Sequence, residues 1–345
     1  MKLSVVVTFY NSEKTLPLCL TAIANQSRKP DELILVDNSS TDSSLRIAHE
    51  FLRSDPGFKI VITTEKKKGF APPRNKAISI AKGDIIVFTD SDCVPHRDWL
   101  YELEQIFLRE KSTLLAGVAG MIRGYRPRNT VQKFLSLFTL HTPTREIKVR
   151  NYNLVFGGFA TTNLAIRKGV FNEVGSFDEN PVIPEDHDLC ARIYKKGYMI
   201  LYSPKPLVYH IHRETLLGMI RQSFAFGKRQ GGMLRKHFDK AAVIEFPRKT
   251  IMNFRFPARI WFNFNSADKK LLFLLVAGLI YHLFFLLIPA YFLYLLVDVR
   301  KRLKDEVFQA DIVEQMGIVG LLFLKSFAMT LGRIYSSLKL GVFCI

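Results

Sequence analysis

Between residues 3 and 90, short apolar runs alternate with helix-like segments, and few folds are compatible with this alternation. The apolar runs are of strand length, and their sequences are LSVVVTF, ELILVD, FKIVITT and DIIVFTD. The segments between them carry apolar residues at helical spacing. Strands that are apolar on both faces and joined by helical crossovers predict an α/β fold, with a mostly parallel sheet and flanking helices.

Polar residues follow three of these strands and should meet at one edge of the sheet. They are Thr8 to Tyr10, Asp37 and the tripeptide Asp90–Ser91–Asp92. In open parallel sheets ligands bind beyond the carboxyl ends of the strands, so we expect a binding site at this edge. Two aspartates at a strand end repel each other and lose hydration, which favours a positive partner between them. Hard oxygen ligands suit Mg²⁺ or Mn²⁺ better than zinc.

A simpler interpretation of the same residues stays open at this point. Asp92 would cap the helix that begins near HRDWLYELEQIF, and Asp90 would be an exposed turn residue. The Asp37 side chain would stabilise the turn that follows its strand. Arg74 would lie in the solvated first turn of the helix PPRNKAISIAKG. Under this interpretation the edge of the sheet would hold no metal.

Five motifs, taken in order, resemble those of family 2 glycosyltransferases with the GT-A fold. They are VVVTFYNSEKTL, ELILVDNSSTDSS, GFAPPRNKAISIAKGDIIVFTDSDCVP, GGFATTNLAIRKGVFNEVGSFDE and PEDHDLCARIYKKGY, and the similarity covers about residues 1–235. The resemblance implies an inverting hexosyltransferase-type enzyme of class EC 2.4 that uses a nucleotide-sugar donor. It also implies that Asp90–Ser91–Asp92 is a D-x-D metal site, with Mn²⁺ or Mg²⁺ as the cofactor.

The resemblance further implies which residues bind the donor. Asp37 would accept a hydrogen bond from the nucleotide base, and Thr8 and Tyr10 would line the base and ribose pocket. Arg74 would approach the base or the diphosphate. Thr8 stands where the family usually has proline, and Lys68 stands where asparagine commonly precedes the glycine loop, so the base stays undetermined. The donor-binding residues implied in this way are Thr8, Tyr10, Asp37, Arg74, Asp90 and Ser91.

The residues expected to act on the acceptor lie in two later motifs. The resemblance implies that Glu185 and Asp186 are the catalytic pair, and we assign the role of general base to Asp186. From the sequence alone, the helix dipole explains acidic residues at a helix start equally well. Gly157 and Gly158 would let the acceptor approach the backbone closely, or they would form an ordinary tight turn.

Two histidines and one missing motif add to this prediction. His210 and His212 are two residues apart on the predicted strand LVYHIHRET, so both should point to one face. Either could complete the metal shell or contact the diphosphate, and a hydrogen-bonded histidine at a strand end is the alternative.

Gln222 is followed by Ser-Phe-Ala-Phe, so the Q-x-x-R-W motif of processive synthases is absent from the sequence. That absence favours transfer of a single sugar over polymerisation.

The C-terminal third predicts attachment to a membrane. The chain has 49 Lys and Arg against 31 Asp and Glu, a net charge of +18, which suggests an anionic partner. A basic and aromatic linker over residues 241–268 has the composition of a membrane interface. The apolar stretch 271–297 is long enough for one transmembrane helix kinked at Pro289, and the basic cluster 300–304 follows it. An anionic membrane surface is therefore the expected partner, and nucleic acid is not.

Several arrangements of this third remain possible on the sequence alone. Basic residues on both flanks of the apolar stretch allow either one span or a re-entrant hairpin. A two-faced helix over residues 317–339 would lie in the interface, cross the membrane again, or pack on the enzyme. Widely spaced cysteines indicate a reducing compartment, so the catalytic domain is expected on the cytoplasmic side of the cell membrane. The predicted domains are a GT-A catalytic domain over 1–240, the linker over 241–268, and a membrane-associated helical region over 269–345.

Together these observations predict a metal-dependent transferase. It would move a sugar from a nucleotide-sugar donor to a hydroxyl of a membrane-proximal acceptor, either a lipid-linked sugar or a glycan. The first alternative is a polyprenyl-phosphate sugar synthase. An alternative of another class is a non-catalytic basic protein with a degenerate transferase fold that binds membranes or nucleic acid. The sequence leaves the oligomeric state open.

Overall fold

The computed structural model of the protein describes residues 1–139, 143–152, 157–246, 249–264 and 266–345. Residues 247, 248 and 265 of the predicted linker therefore lie outside the described residues. The chain divides into two compact units, which are Met1–Tyr125 with Leu140–Ile211, and Arg126–Thr139 with His212–Ile345.

Strands and helices alternate through most of the chain. The described strands are β1 (Leu3–Phe9), β2 (Glu32–Asp37), β3 (Lys59–Thr64), β4 (Ile85–Asp90), β5 (Cys93–Pro95), β6 (Leu115–Gly124), β7 (Ile147–Val149), β8 (Leu164–Arg167), β9 (Met199–His210), β10 (Ala241–Phe246), β11 (Lys249–Arg255), β12 (Ile260–Asn263) and β13 (Phe343–Cys344). The described α-helices are α1 (Leu16–Ala24), α2 (Ser44–Arg53), α3 (Ala71–Ile80), α4 (Trp99–Arg109), α5 (Thr130–Phe138), α6 (Val170–Val174), α7 (Glu185–Lys195), α8 (Leu216–His237), α9 (Ala267–Ile280), α10 (Leu287–Leu303) and α11 (Ile312–Leu340).

The first unit is built on one large sheet. Its described strands lie in the order β3-β2-β1-β4-β8-β6-β9-β5, and β7 pairs with β9. The strands β3, β2, β1 and β4 pair in parallel, whereas β8 runs antiparallel to both of its neighbours. The four parallel strands are the four apolar runs of the sequence, and the predicted α/β class is confirmed.

Both faces of this sheet are buried. Val5 and Val7 of β1 pack in one apolar cluster with Leu16 of α1. The intervening Val6 packs in a second cluster with Ile78 of α3. Because side chains alternate along a strand, an apolar run of this kind supplies two cores at once. The sheet is therefore rigid beneath the polar residues at its strand ends.

The second unit joins α5 to the elements that follow residue 211. Its apolar core contains Phe134 of α5, Met219 of α8, Leu295 of α10 and Ile318 of α11. A small sheet in the order β11-β10-β12-β13 belongs to the same unit. The compact units thus divide the chain at other places than the predicted boundaries near residues 240 and 268. Those boundaries stay a prediction about domains.

The apolar stretch 271–297 is not one continuous helix, and this part of the prediction is wrong. Helix α9 ends at Ile280, a short 3₁₀ turn covers His282–Leu286, and α10 begins at Leu287. Pro289 lies in the first turn of α10, where its missing N–H is not needed, so it causes no kink. Among the described residues, two helical stretches are long and apolar enough to cross a membrane, His282–Leu303 and Ile312–Leu340.

Candidate active site

The Asp90 carboxylate, at the end of β4, has a buried arginine as its positive partner. Arg74 Nη2 donates a hydrogen bond to Asp90 Oδ1 at 2.8 Å, and Arg74 Nη1 donates to Glu185 Oε1 at 2.8 Å. The Thr162 hydroxyl donates to Asp90 Oδ2 at 2.8 Å. Burial disfavours the charge of Arg74, but Asp90 and Glu185 outweigh it and raise the pKa of the guanidinium. One permanently charged group therefore joins the end of β4 to the start of α7.

Asp92 has a different partner. His210 Nε2 lies 3.4 Å from Asp92 Oδ2, because β5 pairs antiparallel with β9 and places Cys93 opposite His210. The protein atoms packed around the Asp92 carboxyl group oppose its ionisation, but the charge and hydrogen bond of His210 outweigh this effect and lower its pKa. The Asp92 side chain is 43% exposed, so this carboxylate can still reach a ligand.

Asp92, Cys93 and His210 form a group whose ligand atoms lie within 4.8 Å of one another. A carboxylate oxygen and an imidazole nitrogen suit Mn²⁺, so these two side chains fit the predicted cation. Burial and the nearby aspartate charges raise the pKa of Cys93 well above its ordinary value. Asp90 is outside this group. Its two oxygens accept hydrogen bonds from Arg74 and Thr162, and its role as a metal ligand stays a prediction.

His212 lies outside the strand on which both histidines were predicted. Strand β9 ends at His210. His212 belongs to the second unit, where its backbone carbonyl accepts a hydrogen bond from Gln132 Nε2 at 3.0 Å. The alternation of side chains along a strand therefore does not fix the direction of the His212 side chain, and its role as a metal ligand stays a prediction. Of the predicted metal ligands, the structure brings together Asp92 and His210.

The predicted donor side of the edge is formed by the ends of β1 and β2. Thr8 lies beside Val36 on one neighbouring strand and Asp90 on the other. Asp37 is buried, and its Oδ1 accepts a hydrogen bond from the Ser40 backbone N–H at 2.9 Å, which is the turn role that the sequence left open. Donor binding by Thr8 and Asp37 stays a prediction.

Tyr10 and Lys68 stand together beyond these strand ends. Lys68 Nζ lies 3.9 Å from the centroid of the Tyr10 ring, which is 51% exposed. Ser91 is held close by, because its hydroxyl oxygen lies 2.8 Å from that of Ser12. An exposed ring beside an ammonium group suits a ligand that is both planar and anionic.

Glu185 and Asp186 both begin α7, but their surroundings differ. Glu185 is buried and paired with Arg74, whereas Asp186 is half-buried. Asp186 Oδ1 accepts a hydrogen bond from the His187 backbone N–H at 2.8 Å. Asp188 is fully buried, and Arg192 Nε donates to it at 2.8 Å. Asp186 is thus the most accessible of the three acids in this turn.

Gly157 and Gly158 have a packing reason to be glycine. Gly157 has φ of +100°, and a Cβ there would lie 2.5 Å from the Asn151 carbonyl oxygen. A Cβ at Gly158 would lie 2.3 Å from the ring of His187. The structure therefore places both glycines against neighbouring residues, and acceptor contact by either of them stays a prediction.

The sequence did not single out two residues that organise the site, Thr162 and Asn38. Thr162 lies in a run of small polar residues, and nothing there distinguishes it from its neighbour Thr161. Asn38 Nδ2 donates to the carbonyl oxygens of Glu65 and Lys67, both at 2.9 Å, and so holds the loop that carries Lys68. An asparagine directly after a strand-end aspartate is a turn signal that could have been used.

Comparisons with known proteins identify relatives of the chain. Residues 4–175 match the model of Glycosyl transferase family 2. The glycosyltransferase AglE of Haloferax volcanii is 27% identical over 234 residues, which are 66% of this chain and 72% of AglE. The O-antigen chain rhamnosyltransferase WbaN of Salmonella anatum is 28% identical over 201 residues, which are 56% of this chain and 61% of WbaN.

A solved structure supports the fold. The mannosyltransferase PcManGT from Pyrobaculum calidifontis, in complex with GDP-Man and Mn²⁺, superposes with a TM-score of 0.51 at 19% identity. The match covers 67% of this chain and 63% of PcManGT. The family match and this fold together define an α/β sugar transferase with the GT-A fold. The chain belongs to glycosyltransferase family 2, and the family domain spans residues 4–175.

Proposed function

We propose that this glycosyltransferase moves one sugar from a nucleotide-sugar donor to a hydroxyl of a membrane-proximal acceptor, a lipid-linked sugar or a glycan. The observation that carries the proposal is the Arg74 guanidinium, which contacts Asp90 at the end of β4 and Glu185 at the start of α7. The D-x-D tripeptide and the Glu185–Asp186 pair are thereby parts of one site. Donor binding and acceptor activation can take place side by side.

The proposed cofactor is Mn²⁺ or Mg²⁺, held by Asp92 and His210. When bound, such a cation supplies positive charge that stabilises the departing nucleoside diphosphate. Asp90 is a further proposed ligand of the cation, and by accepting a hydrogen bond from Arg74 it also orients the arginine and the D-x-D turn. The Mn²⁺ in the PcManGT complex supports the choice of cation for this fold. The donor itself would lie along Tyr10, Asp37 and Lys68.

Asp186 is proposed as the general base. A hydroxyl group has a high pKa and becomes a good nucleophile near neutral pH only when a base removes its proton. The Asp186 carboxylate takes that proton while the acceptor oxygen bonds to C1 of the sugar, and the bond from C1 to the diphosphate breaks on the opposite face. Glu185 is less suited to this role because it is buried and paired with Arg74.

The need for a base also bears on the acceptor. A lipid phosphate is already ionised and needs no base, so a carboxylate at this position favours a hydroxyl acceptor. WbaN, named as an O-antigen chain rhamnosyltransferase, supports an acceptor of the carbohydrate type. A polyprenyl-phosphate sugar synthase is the second candidate, because the apolar C-terminal helices suit a lipid acceptor. In either case we place the site on the cytoplasmic face of the cell membrane.

The experiment compares Asp186→Asn with the wild-type enzyme across UDP-, GDP- and dTDP-sugars, with and without Mn²⁺. We expect transfer to fall by roughly 10²- to 10⁴-fold, the usual contribution of a general base, while donor and metal binding stay nearly intact. Glu173→Gln is the control, since Glu173 is an exposed acid that accepts a hydrogen bond from Tyr198. Transfer by Asp186→Asn at the wild-type rate, or efficient glycosylation of a bare polyprenyl phosphate by the wild type, would contradict the proposal.

A further inference from the structure

The second unit contains two helical stretches, His282–Leu303 and Ile312–Leu340, that could cross a membrane by length and composition. We propose that neither does so. The unit enters one leaflet of an anionic bilayer from the side that holds the catalytic sheet, and all of its loops stay on that side. This inference rests on contacts within the second unit and on chain connectivity, and it is independent of the reaction.

The first observation concerns the loop between α10 and α11. Lys133 Nζ of α5 lies 2.6 Å from Glu314 Oε1 in the first turn of α11. Arg302, near the end of α10, donates to the Leu137 carbonyl of α5 at 3.3 Å. Arg300 Nε donates to Gln315 Oε1 at 2.9 Å. The end of α10 and the start of α11 are therefore both held against α5.

Helix α5 cannot lie across a membrane from the catalytic sheet. It follows strand β6 after the short connection 125–129. Even fully extended, this connection reaches less than roughly 20 Å, whereas the hydrocarbon core is roughly 30 Å thick. The loop held against α5 must therefore share the side of the catalytic sheet. A single crossing by His282–Leu303 would place that loop on the opposite side.

The second observation concerns the middle of α11. Ser326 and Thr330, near its centre, donate hydrogen bonds to the Asp268 carboxylate at 2.6 and 2.7 Å. Lys269 Nζ donates to Thr330 Oγ1 at 3.2 Å. If α11 spanned a bilayer, this aspartate and this lysine would lie near the hydrocarbon centre, where charged side chains are costly. The centre of α11 therefore lies beside charged and polar side chains, outside the hydrocarbon core.

The third observation is the close packing of α11 on α8. A Cβ at Gly227 of α8 would lie 2.0 Å from the Met329 carbonyl oxygen, and one at Gly231 would lie 2.3 Å from Ser336 Oγ. Arg333 Nε donates to Gln230 Oε1 at 2.6 Å. Helix α8 carries five basic residues, Arg221, Lys228, Arg229, Arg235 and Lys236. A helix that is packed along such a neighbour is not surrounded by lipid.

Two apolar surfaces of the second unit remain exposed, and they are what the leaflet would take up. One is the tip between α9 and α10, where Leu279, Ile280 and Leu286 are 81%, 84% and 70% exposed. Helix α9 has 14 residues and is about 21 Å long, which is too short to cross. The other surface is a stripe on one side of α11, formed by Phe327, Leu331, Ile334 and Leu338.

Charge identifies the partner as a lipid surface. Basic residues flank both apolar surfaces, and they match the phosphates of anionic headgroups. Basic residues lie on both sides of the tip, at the start of α9 and at the end of α10. A segment that enters and leaves the bilayer through the same interface needs such residues at both of its ends. The flanking residues are Lys270, Arg300, Lys301, Lys304 and Lys339.

The test is cysteine labelling of the full chain in a bacterial host, where the four native cysteines are buried. Val307→Cys, at a position 91% exposed in the loop between α10 and α11, is compared with Lys111→Cys on the first unit. A membrane-impermeant maleimide should label neither variant in intact spheroplasts and both after the membrane is opened. Labelling of Val307→Cys in intact spheroplasts, with Lys111→Cys protected, would show that His282–Leu303 crosses and would overturn the proposal.

A second measurement uses purified protein and protein-free vesicles, with or without anionic phosphatidylglycerol. We expect binding to the anionic vesicles, and a loss of at least tenfold in affinity for the double variant Leu279→Asp with Ile280→Asp. Leu108→Asp is the control, because Leu108 is 55% exposed on the first unit. If the wild type fails to bind anionic vesicles, or if the double variant binds as well as the control, a protein partner covers the tip and the proposal is wrong.

Discussion

At the scale of single residues, Arg74 is the charge on which the candidate site depends most. It is 4% exposed and lies between Asp90 and Glu185. A buried ion pair adds little stability of its own, but removal of one partner leaves the others buried without compensation. Arg74 therefore positions two acidic residues that belong to different motifs.

The first prediction compares two substitutions of Arg74. Arg74→Met should lower the free energy of unfolding by about 3–5 kcal/mol, because Asp90 and Glu185 lose their shared partner. Arg74→Lys keeps the charge but has no planar fork to reach both carboxylates, so it should lose less stability. Urea unfolding measures both. Arg46→Met, which breaks an exposed pair with Glu50, is the control and should cost under about 1 kcal/mol. Equal stability of Arg74→Met and the control would contradict this role.

The second prediction concerns the proposed metal ligands. Asp92→Asn should abolish Mn²⁺-dependent binding of a nucleoside diphosphate while the protein still folds, because the amide lacks the charge that the cation needs. Calorimetric titration with Mn²⁺ measures this directly. Asp98→Asn changes a nearby aspartate whose side chain is 48% exposed, and it should bind as the wild type does. Unchanged Mn²⁺ affinity in Asp92→Asn would remove this aspartate from the metal site.

At the scale of elements, glycines allow α8 and α11 to approach closely. Gly227 of α8 lies against the Met329 carbonyl, and Gly332 of α11 lies against the Phe224 carbonyl. Small residues on facing helices permit backbone contact that any side chain would prevent. This contact is the reason that α8 groups with the C-terminal helices, although the predicted catalytic domain included it.

The third prediction uses these glycines and a matched control. A Cβ at Gly227 or Gly332 would lie 2.0 or 2.2 Å from a backbone oxygen, so alanine at either position should destabilise the protein by about 1–3 kcal/mol. Gly320→Ala, in the same α11, meets nothing within 4 Å and should be neutral or stabilising by up to about 1 kcal/mol. Thermal unfolding of the three variants checks this. A destabilised Gly320→Ala together with a neutral Gly227→Ala would show that Gly227 is not required for the close packing of α8 on α11.

At the scale of the whole molecule, charge and apolar surface should act together at the membrane. The net charge is +18, and exposed apolar residues are concentrated in the second unit. Attraction between the basic surface and anionic lipid is long-ranged but screened by salt. Insertion of apolar side chains is not weakened by salt in the same way. The two contributions can therefore be separated by ionic strength.

The fourth prediction follows from that separation. Binding to anionic vesicles should weaken between 0.1 and 1 M salt, where the screening length falls from about 10 to about 3 Å, but part of it should remain. The variant Leu279→Asp with Ile280→Asp should lose this salt-resistant part. Co-sedimentation with vesicles measures both fractions. Binding that disappears fully at high salt in the wild type would indicate that the tip does not insert.

The class of the fold and the family of the enzyme could be predicted from local sequence patterns. Strands β1 and β2 lie where their apolar runs predicted, because burial on both faces leaves a pattern that is visible within a few residues. The position of Asp37 and Asp90 at one edge followed from the parallel order of those strands. These features depend on local spacing and on a general rule of parallel sheets.

Which side chains meet in the site could not be predicted in this way, because it depends on how distant segments pack. The Arg74–Glu185 contact joins residues 111 positions apart, and Thr162 reaches Asp90 across 72 positions. No local pattern encodes such pairs, because they arise from the order in which strands and helices assemble. The same holds for Asp268 of α9, which accepts hydrogen bonds from α11, since hydropathy records how apolar each helix is and not which polar groups stand beside it. A helix that crosses a membrane and a helix that packs against polar side chains can therefore have the same hydropathy. Contacts between distant segments distinguish the two.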